Sequence, residues 1–220
     1  MKIKAIITGT TGMVGEGVLH ECLKHPDVER VLLINRRTAN VQHPKLKEIL
    51  HNNFYDLSAV KEQLSGYNAC YFCLGTTSVG KSKEEYTRIT FDLTKTFADT
   101  LIEINLGMVF CYVSGAGTDS SEKGKIIWAR VKGRTENYIL NLGFKDAYMF
   151  RPALIAPTEG LNNTLTLYKF FAPLIPFVKL FSPKHICSLK QIGLAMINSV
   201  LKGYDNKILE VIDIKKLSGV

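Results

Sequence analysis

The sequence predicts an α/β fold, with a doubly wound, mostly parallel sheet, helices on both faces and a small C-terminal lobe. Three observations predict it. The opening stretch MKIKAIITGTTGMVGEG passes from an apolar run over residues 3–8 into glycines at Gly9, Gly12 and Gly15, the pattern of a strand, a tight turn and a helix start. Beyond it, short apolar runs alternate with longer helix-like stretches, as βα units require. The chain has 220 residues, enough to bury one core of that kind, so residues 1–220 are expected to form a single domain.

The elements follow in order. A strand over residues 3–8 meets the glycine turn, in which Gly9 supplies a positive φ, Gly12 allows backbone to approach a diphosphate and Gly15 lets the helix pack closely. Together with Thr11, Met13 and Val14, these residues form a predicted cofactor cradle, since a helix start aims free N–H groups and partial positive charge at phosphates. The helix over 14–23 stops at His25-Pro26, because proline has no N–H to donate.

The next strand, apolar over 31–34, ends in Asn35, Arg36 and Arg37. An NAD site usually carries a carboxylate here for the ribose 2′-hydroxyl, whereas a 2′-phosphate calls for arginine. With no carboxylate in NRR and two guanidiniums able to fork onto a phosphate, NADP (NADPH) is preferred over NAD.

A strand over 46–52 leads to Asn53 and Phe54, placed to offer adenine a hydrogen bond and an apolar face. Asp56 can cap the helix expected over 57–64. The strand over 69–73 runs into LGTTSVGKSKEE, so that Cys73, Leu74, Gly75 and Thr76 lie along the diphosphate and the nicotinamide ribose. A long helix over 83–105, a buried strand over 108–113, a helix over 125–141 and a strand over 147–150 complete the pattern. Ser114 stands where the 108–113 strand ends, the side on which open parallel sheets bind ligands. Trp128 and Lys132 share one face of the following helix, and Arg151 and Pro152 follow the last of these strands.

Past Pro152 the pattern changes. Residues 165–181 (LTLYKFFAPLIPFVKLF) are apolar and aromatic but broken by Pro173 and Pro176. They read as part of a substrate-pocket lid over 153–188, or as a surface for a second copy or a protein partner; membrane contact is not expected. A helix over 189–201 and a strand over 208–212 close the chain.

The net charge is +8 and the isoelectric point about 9.2, but the basic residues are spread out, so a phosphorylated ligand is expected and nucleic acid is not. The five cysteines are an odd number, and Cys70 and Cys73 fall within a buried strand and its end. No further cysteine or histidine pair completes a metal site, and reduced thiols in a cytoplasmic protein are expected. Neither a charged-then-apolar leader nor a membrane-spanning run is expected from the apolar pattern.

Taken together, TGTTGMVG, NRR, CLGTT over 73–77, YVSGAG, VKGRTE over 131–136 and FRPALI over 150–155 resemble the short-chain dehydrogenase/reductase superfamily. The closest likeness is to its atypical branch and, through CLGTT, VKG and FRP, to the Tat-interacting-protein-like oxidoreductases. The resemblance covers about the first three-quarters of the chain. It implies a Rossmann fold of about seven strands with NADP(H) across the carboxyl edge, contacted also by Lys132, Arg151, Pro152 and Leu154. It also implies a catalytic serine at Ser114 and a lysine at Lys132, while the tyrosine of the superfamily is replaced by Trp128. An indole N–H does not exchange a proton as a phenol does.

Three functions are therefore expected from the sequence. The first is reduction of a small carbonyl or quinone substrate, with the proton drawn from water, Ser114, Tyr86 or Tyr138. The second is NADP(H) binding without turnover, as a sensor or scaffold, and the third is epimerisation of a nucleotide-linked sugar.

Overall fold

A computed structural model describes residues 1–156, 158, 161 and 185–220. Seven strands form one sheet: β1 (Ile3–Thr8), β2 (Val28–Asn35), β3 (Leu46–Leu50), β4 (Ala69–Phe72), β5 (Val109–Val113), β6 (Asp146–Arg151) and β9 (Ile208–Glu210). Their spatial order is β3-β2-β1-β4-β5-β6-β9, with every neighbouring pair parallel. The order reverses between β1 and β4, and the carboxyl ends of those two strands open the crevice where such sheets hold ligands.

The strands are nearly all apolar because both faces are covered, and the two-residue alternation sorts their side chains. Ile3, Ala5, Ile7, Leu33, Tyr71 and Cys111 face α1 (Met13–Lys24), α5 (Leu189–Lys202) and α6 (Val211–Ser218). Ile6, Leu32, Cys70, Phe72, Phe110 and Tyr112 face a 3₁₀ turn (Ser58–Leu64), α3 (Leu93–Ile104) and α4 (Ile127–Leu140). Cys70 and Cys73 thus pack against different layers, all five cysteines are free thiols, and no metal-binding group of three occurs among the described residues.

Several boundaries differ from expectation for identifiable reasons. The expected 57–64 helix is a 3₁₀ segment, entered through Asp56, whose Oδ1 accepts the Ser58 N–H at 3.0 Å. The expected 83–105 helix comprises α2 (Lys83–Thr87), a π-turn (Arg88–Asp92) and α3. The expected 208–212 strand ends at Glu210, because a reciprocal capping box between Glu210 and Asp213 starts α6 there. A pair of three-residue parallel strands, β7 (Leu154–Ala156) and β8 (Ile186–Ser188), lies outside the main sheet. The 165–181 segment expected to serve as lid or partner surface falls outside the described residues.

Candidate functional site

The glycine turn is built as a cradle. Gly9 has φ +71°, and a Cβ there would lie 2.7 Å from the Cys73 carbonyl carbon. At Gly15 a Cβ would lie 2.3 Å from the Gly9 carbonyl oxygen, so only glycine lets the first turn of α1 sit over β1. Gly12 is the N-cap and offers no side-chain acceptor, which leaves first-turn amides of α1 for a ligand. The Thr8 hydroxyl accepts the Cys73 N–H at 3.2 Å and ties the carboxyl ends of β1 and β4 together beside the turn.

Two cavities lie along this edge. One of about 330 Å³ is lined by Arg36, Asn52, Phe54, Tyr55, Ile89 and Leu93, among others. The other, about 500 Å³, is lined by Gly12, Met13, Val14, Cys73, Thr77, Val113, Ser114, Lys132, Pro152 and Ile155. Leu74, Gly75 and Thr76 belong to both, so the loop after β4 is a shared wall. An elongated, two-lobed trough over a glycine-lined helix start fits a dinucleotide.

The sequence-predicted residues divide between lining and support. Gly12, Met13, Val14, Cys73, Leu74, Gly75, Thr76, Ser114, Lys132 and Pro152 line the larger cavity, and Arg36 and Phe54 line the smaller. Phe54 is buried, stacked on Phe97 with centroids 6.0 Å apart. Thr11, exposed in the turn, and Arg37, exposed after β2, line neither.

Four expectations need correction. Asn53 folds its Oδ1 onto the Tyr55 N–H at 3.1 Å, and Asn52 takes the place on the cavity wall. Leu154 is 46% exposed whereas Ile155 lines the cavity, a one-residue slip in an alternating strand. Arg151 turns away from the trough into a buried ion pair with Glu136. Asn35 donates to the Thr10 hydroxyl at 2.7 Å and to Glu48 at 3.0 Å, so it braces the turn instead of reaching for a ribose.

Glu48 is the carboxylate that the NRR reading lacked. It arrives from β3, thirteen residues beyond Asn35, and only strand pairing reveals it. Both of its oxygens are occupied, by Asn35, by the Thr38 hydroxyl at 2.7 Å and by the Ala39 N–H at 2.9 Å. Burial alone would raise its carboxyl; those three donors outweigh burial and hold it below the ordinary value. Neither Arg36 nor Arg37 has an ion-pair partner among the described residues.

At the far end, Lys132 and Ser114 come together. The Lys132 ammonium donates to the Ser114 carbonyl oxygen in a short hydrogen bond, and burial pushes its pKa down to about 8 against the opposing pull of Glu136. The Ser114 hydroxyl donates to Glu136 Oε1 at 2.5 Å and approaches the Phe150 carbonyl at 3.2 Å. Glu136 is fully buried and also accepts from Arg151 Nε at 3.0 Å, while Arg151 Nη2 reaches Ser120 Oγ at 2.5 Å. This Ser114–Glu136–Arg151 link, unseen in the sequence reading, joins the residue after β5 to α4 and β6 beside the cavity.

Trp128 is absent from the cavity lining. Its ring lies beside Gly117, where a Cβ would be 3.5 Å from Cη2, and it packs against Tyr86, Phe91 and Val131. Tyr86 is buried in that cluster and Tyr138 donates to Asp99 at 2.5 Å, so neither expected proton source lines the cavity.

With this geometry in place, the comparisons with known proteins are specific. The model of the NAD dependent epimerase/dehydratase family matches residues 5–122, more than half of the chain. The chain belongs to that family. Its members share the short-chain dehydrogenase/reductase architecture found here, with an NAD(P)-binding Rossmann fold. Among relatives, "Protein fmp52-1, mitochondrial" of Aspergillus terreus is 30% identical over 165 residues, 72% of this chain and 69% of that protein. "Protein FMP52, mitochondrial" of Candida albicans is 25% identical over 171 residues, 74% and 73% of the two chains.

Among solved structures, a dTDP-glucose 4,6-dehydratase from Streptomyces venezuelae with NAD bound superposes with a TM-score of 0.69. It is 15% identical, and the match covers 99% of this chain and 79% of that one. A UDP-N-acetylglucosamine 4-epimerase from Methanobrevibacter ruminantium gives 0.67 at 15% identity, covering 95% and 76%. These two likenesses carry the fold alone. The mitochondrial names of the relatives overturn the cytoplasmic expectation drawn from the unpaired cysteines. Among the described residues, no helix is long and apolar enough to cross a membrane.

Proposed function

We propose that the protein is an NADP(H)-dependent oxidoreductase acting on a small carbonyl or quinone-type substrate. The observation that carries this reading is the two-lobed trough, with an unpaired Arg36 at one end and Lys132 with Ser114 at the other. Gly12 and the first turn of α1 would hold the diphosphate, Phe54 and Asn52 would flank the adenine, and Lys132 would hold the nicotinamide ribose. The reduced cofactor would supply a hydride at the 500 Å³ cavity. The cavity walls made by Pro152 and Ile155 would seat the substrate and exclude water.

Arg36 and Arg37 are the basis for NADPH over NADH. Glu48 does not oppose that preference, because its charge is already shared among three donors. Dissociation constants for NADPH and NADH in the parent, Arg36→Ala and Arg37→Ala test it. Arg36→Ala is expected to weaken NADPH by about tenfold, one exposed charge-assisted contact, and leave NADH nearly unchanged. Equal loss for both cofactors would refute the 2′-phosphate assignment. Turnover of NADPH with a carbonyl and quinone panel tests the reaction, and binding without turnover would make the protein a binding module.

The family match supports a second reading, an epimerase or dehydratase of a nucleotide-linked sugar with the cofactor retained. Cofactor surviving purification together with binding of UDP- or dTDP-glucose would favour it over the reductase. The names of the relatives support a mitochondrial setting, which subcellular fractionation tests.

A further inference from the structure

We infer that Lys132 is itself the catalytic acid, giving its own proton to the substrate oxygen without a tyrosine in between. The inference rests on the oxidoreductase reading above and begins with what lines the larger cavity. Apart from backbone and apolar groups, its described walls carry Cys73, Thr76, Thr77, Ser114 and Lys132. Threonine hydroxyls do not titrate in water's working range. The Cys73 thiol is pushed far up by burial and then by Cys111, which makes it a poor acid. Ser114 has its hydroxyl proton directed at Glu136 Oε1, 2.5 Å away. The residue in the tyrosine position, Trp128, lies against Gly117, and Tyr86 and Tyr138 are engaged elsewhere. Among the described residues lining the cavity, Lys132 is the remaining group that can release and regain a proton near neutral pH.

The surroundings of its amine suit that role. From the end of β5 the carbonyl of Ser114, the next residue, orients it; from its own helix, one turn on, Glu136 favours the charged form. Glu136 is in turn largely neutralised by Arg151 of β6, and the facing side chains of Cys73, just past β4, and of Met13 and Val14 of α1 bring no charge. Burial therefore prevails, and the ammonium sits near pH 8 in place of the usual 10.5. An acid in that range is matched to its task. As hydride reaches the substrate carbonyl carbon, a Nζ–H bond of Lys132 breaks and an O–H bond forms on the carbonyl oxygen. The neutral amine then regains a proton from solvent.

Arginine separates this role from mere positioning, since it keeps the charge and the bond to Ser114 but does not give up a proton. The experiment compares the parent, Lys132→Arg and Lys132→Met for NADPH binding and for NADPH oxidation by 4-nitrobenzaldehyde and by 9,10-phenanthrenequinone across pH. Alongside, ε-¹³C-lysine NMR follows Lys132 in the protein without cofactor, assigned by its absence in Lys132→Arg. Expected are a lysine signal titrating near pH 8 and an aldehyde kcat/KM that falls as pH rises through that region. In Lys132→Arg, that limb should vanish and kcat should drop by roughly 10²–10⁴, with NADPH binding kept. The quinone, whose reduced oxyanion is the weaker base, should lose less. Turnover with an unchanged pH limb in Lys132→Arg, or a Lys132 that titrates as a free lysine does, overturns the inference alone. Tight NADPH binding with neither probe reduced overturns the reductase reading and the inference with it.

Discussion

Replacing Glu136 with alanine should destabilise the fold by removing the partner of a buried charge. The Glu136 carboxylate is fully buried and receives the Arg151 guanidinium and the Ser114 hydroxyl. Its loss leaves Arg151, only 9% exposed, with Ser120 at 2.5 Å and the half-exposed Glu210 at 3.5 Å. Stripping one partner from a buried pair costs about 3–5 kcal/mol, because the other charge is left without compensation. Ser120 and Glu210 soften this, so we expect about 3 kcal/mol, the lower end of that range. For a chain of this size that is a fall in Tm of roughly 6–12 °C. Thermal unfolding followed by circular dichroism reads it without any cofactor, and Glu136→Gln, which keeps the shape and one accepting oxygen but sets an NH2 donor where a carboxylate oxygen accepted, should lose less. A Tm within about 2 °C of the parent for Glu136→Ala would refute the view that this pair anchors α4 to β6. In Glu136→Gln, the Lys132 pKa should also move further down, since the carboxylate is what raises it.

Three other outcomes follow from the same structure. Gly15→Ala must displace the Gly9 carbonyl, at a cost of about 1–3 kcal/mol; NADPH affinity measured by fluorescence titration should fall at least about tenfold. Phe54→Ala removes a ring buried against Phe97 and should cost about 3–5 kcal/mol in urea unfolding. For Lys132 the folded pKa is depressed, so between about pH 8 and 10.5 the unfolded chain holds a proton that the folded one has released. Unfolding free energy therefore rises with pH across that window, and the parent should gain stability relative to Lys132→Met from pH 7 to 10; no relative gain would contradict a buried amine.

The sheet was legible because parallel strands buried on both faces must be almost wholly apolar, as in Ile3–Thr8 and Val109–Val113. The glycine turn was legible because its steric demands fall on single residues close in sequence. Lys132 and Ser114 were found through the family likeness, and the structure brings them together. What escaped notice depends on partners far apart in the chain. Glu48 meets Asn35 only through the β2–β3 ladder, and Glu136 meets Arg151 only once α4 has docked on β6. Where side chains alternate, an error of one position exchanges wall for surface, as with Asn53 for Asn52 and Leu154 for Ile155. The start of α6 was readable in principle, since Glu210 and Asp213 have the three-residue spacing of a capping box. Val211 and Ile212, both β-branched, made the stretch look like a continuing strand.

The shared wall of Leu74, Gly75 and Thr76 makes the trough modular. Every residue lining the smaller cavity lies between positions 36 and 93, whereas the larger one also draws on 113, 114, 132, 152 and 155. A short ligand confined to the first compartment, such as adenosine 2′,5′-bisphosphate, would engage only the amino-terminal half of the chain. Retention on a resin bearing it would thus certify that half's integrity while remaining blind to damage at Lys132. Laboratory selections for new chemistry could rebuild the second compartment while using such retention to keep the first intact.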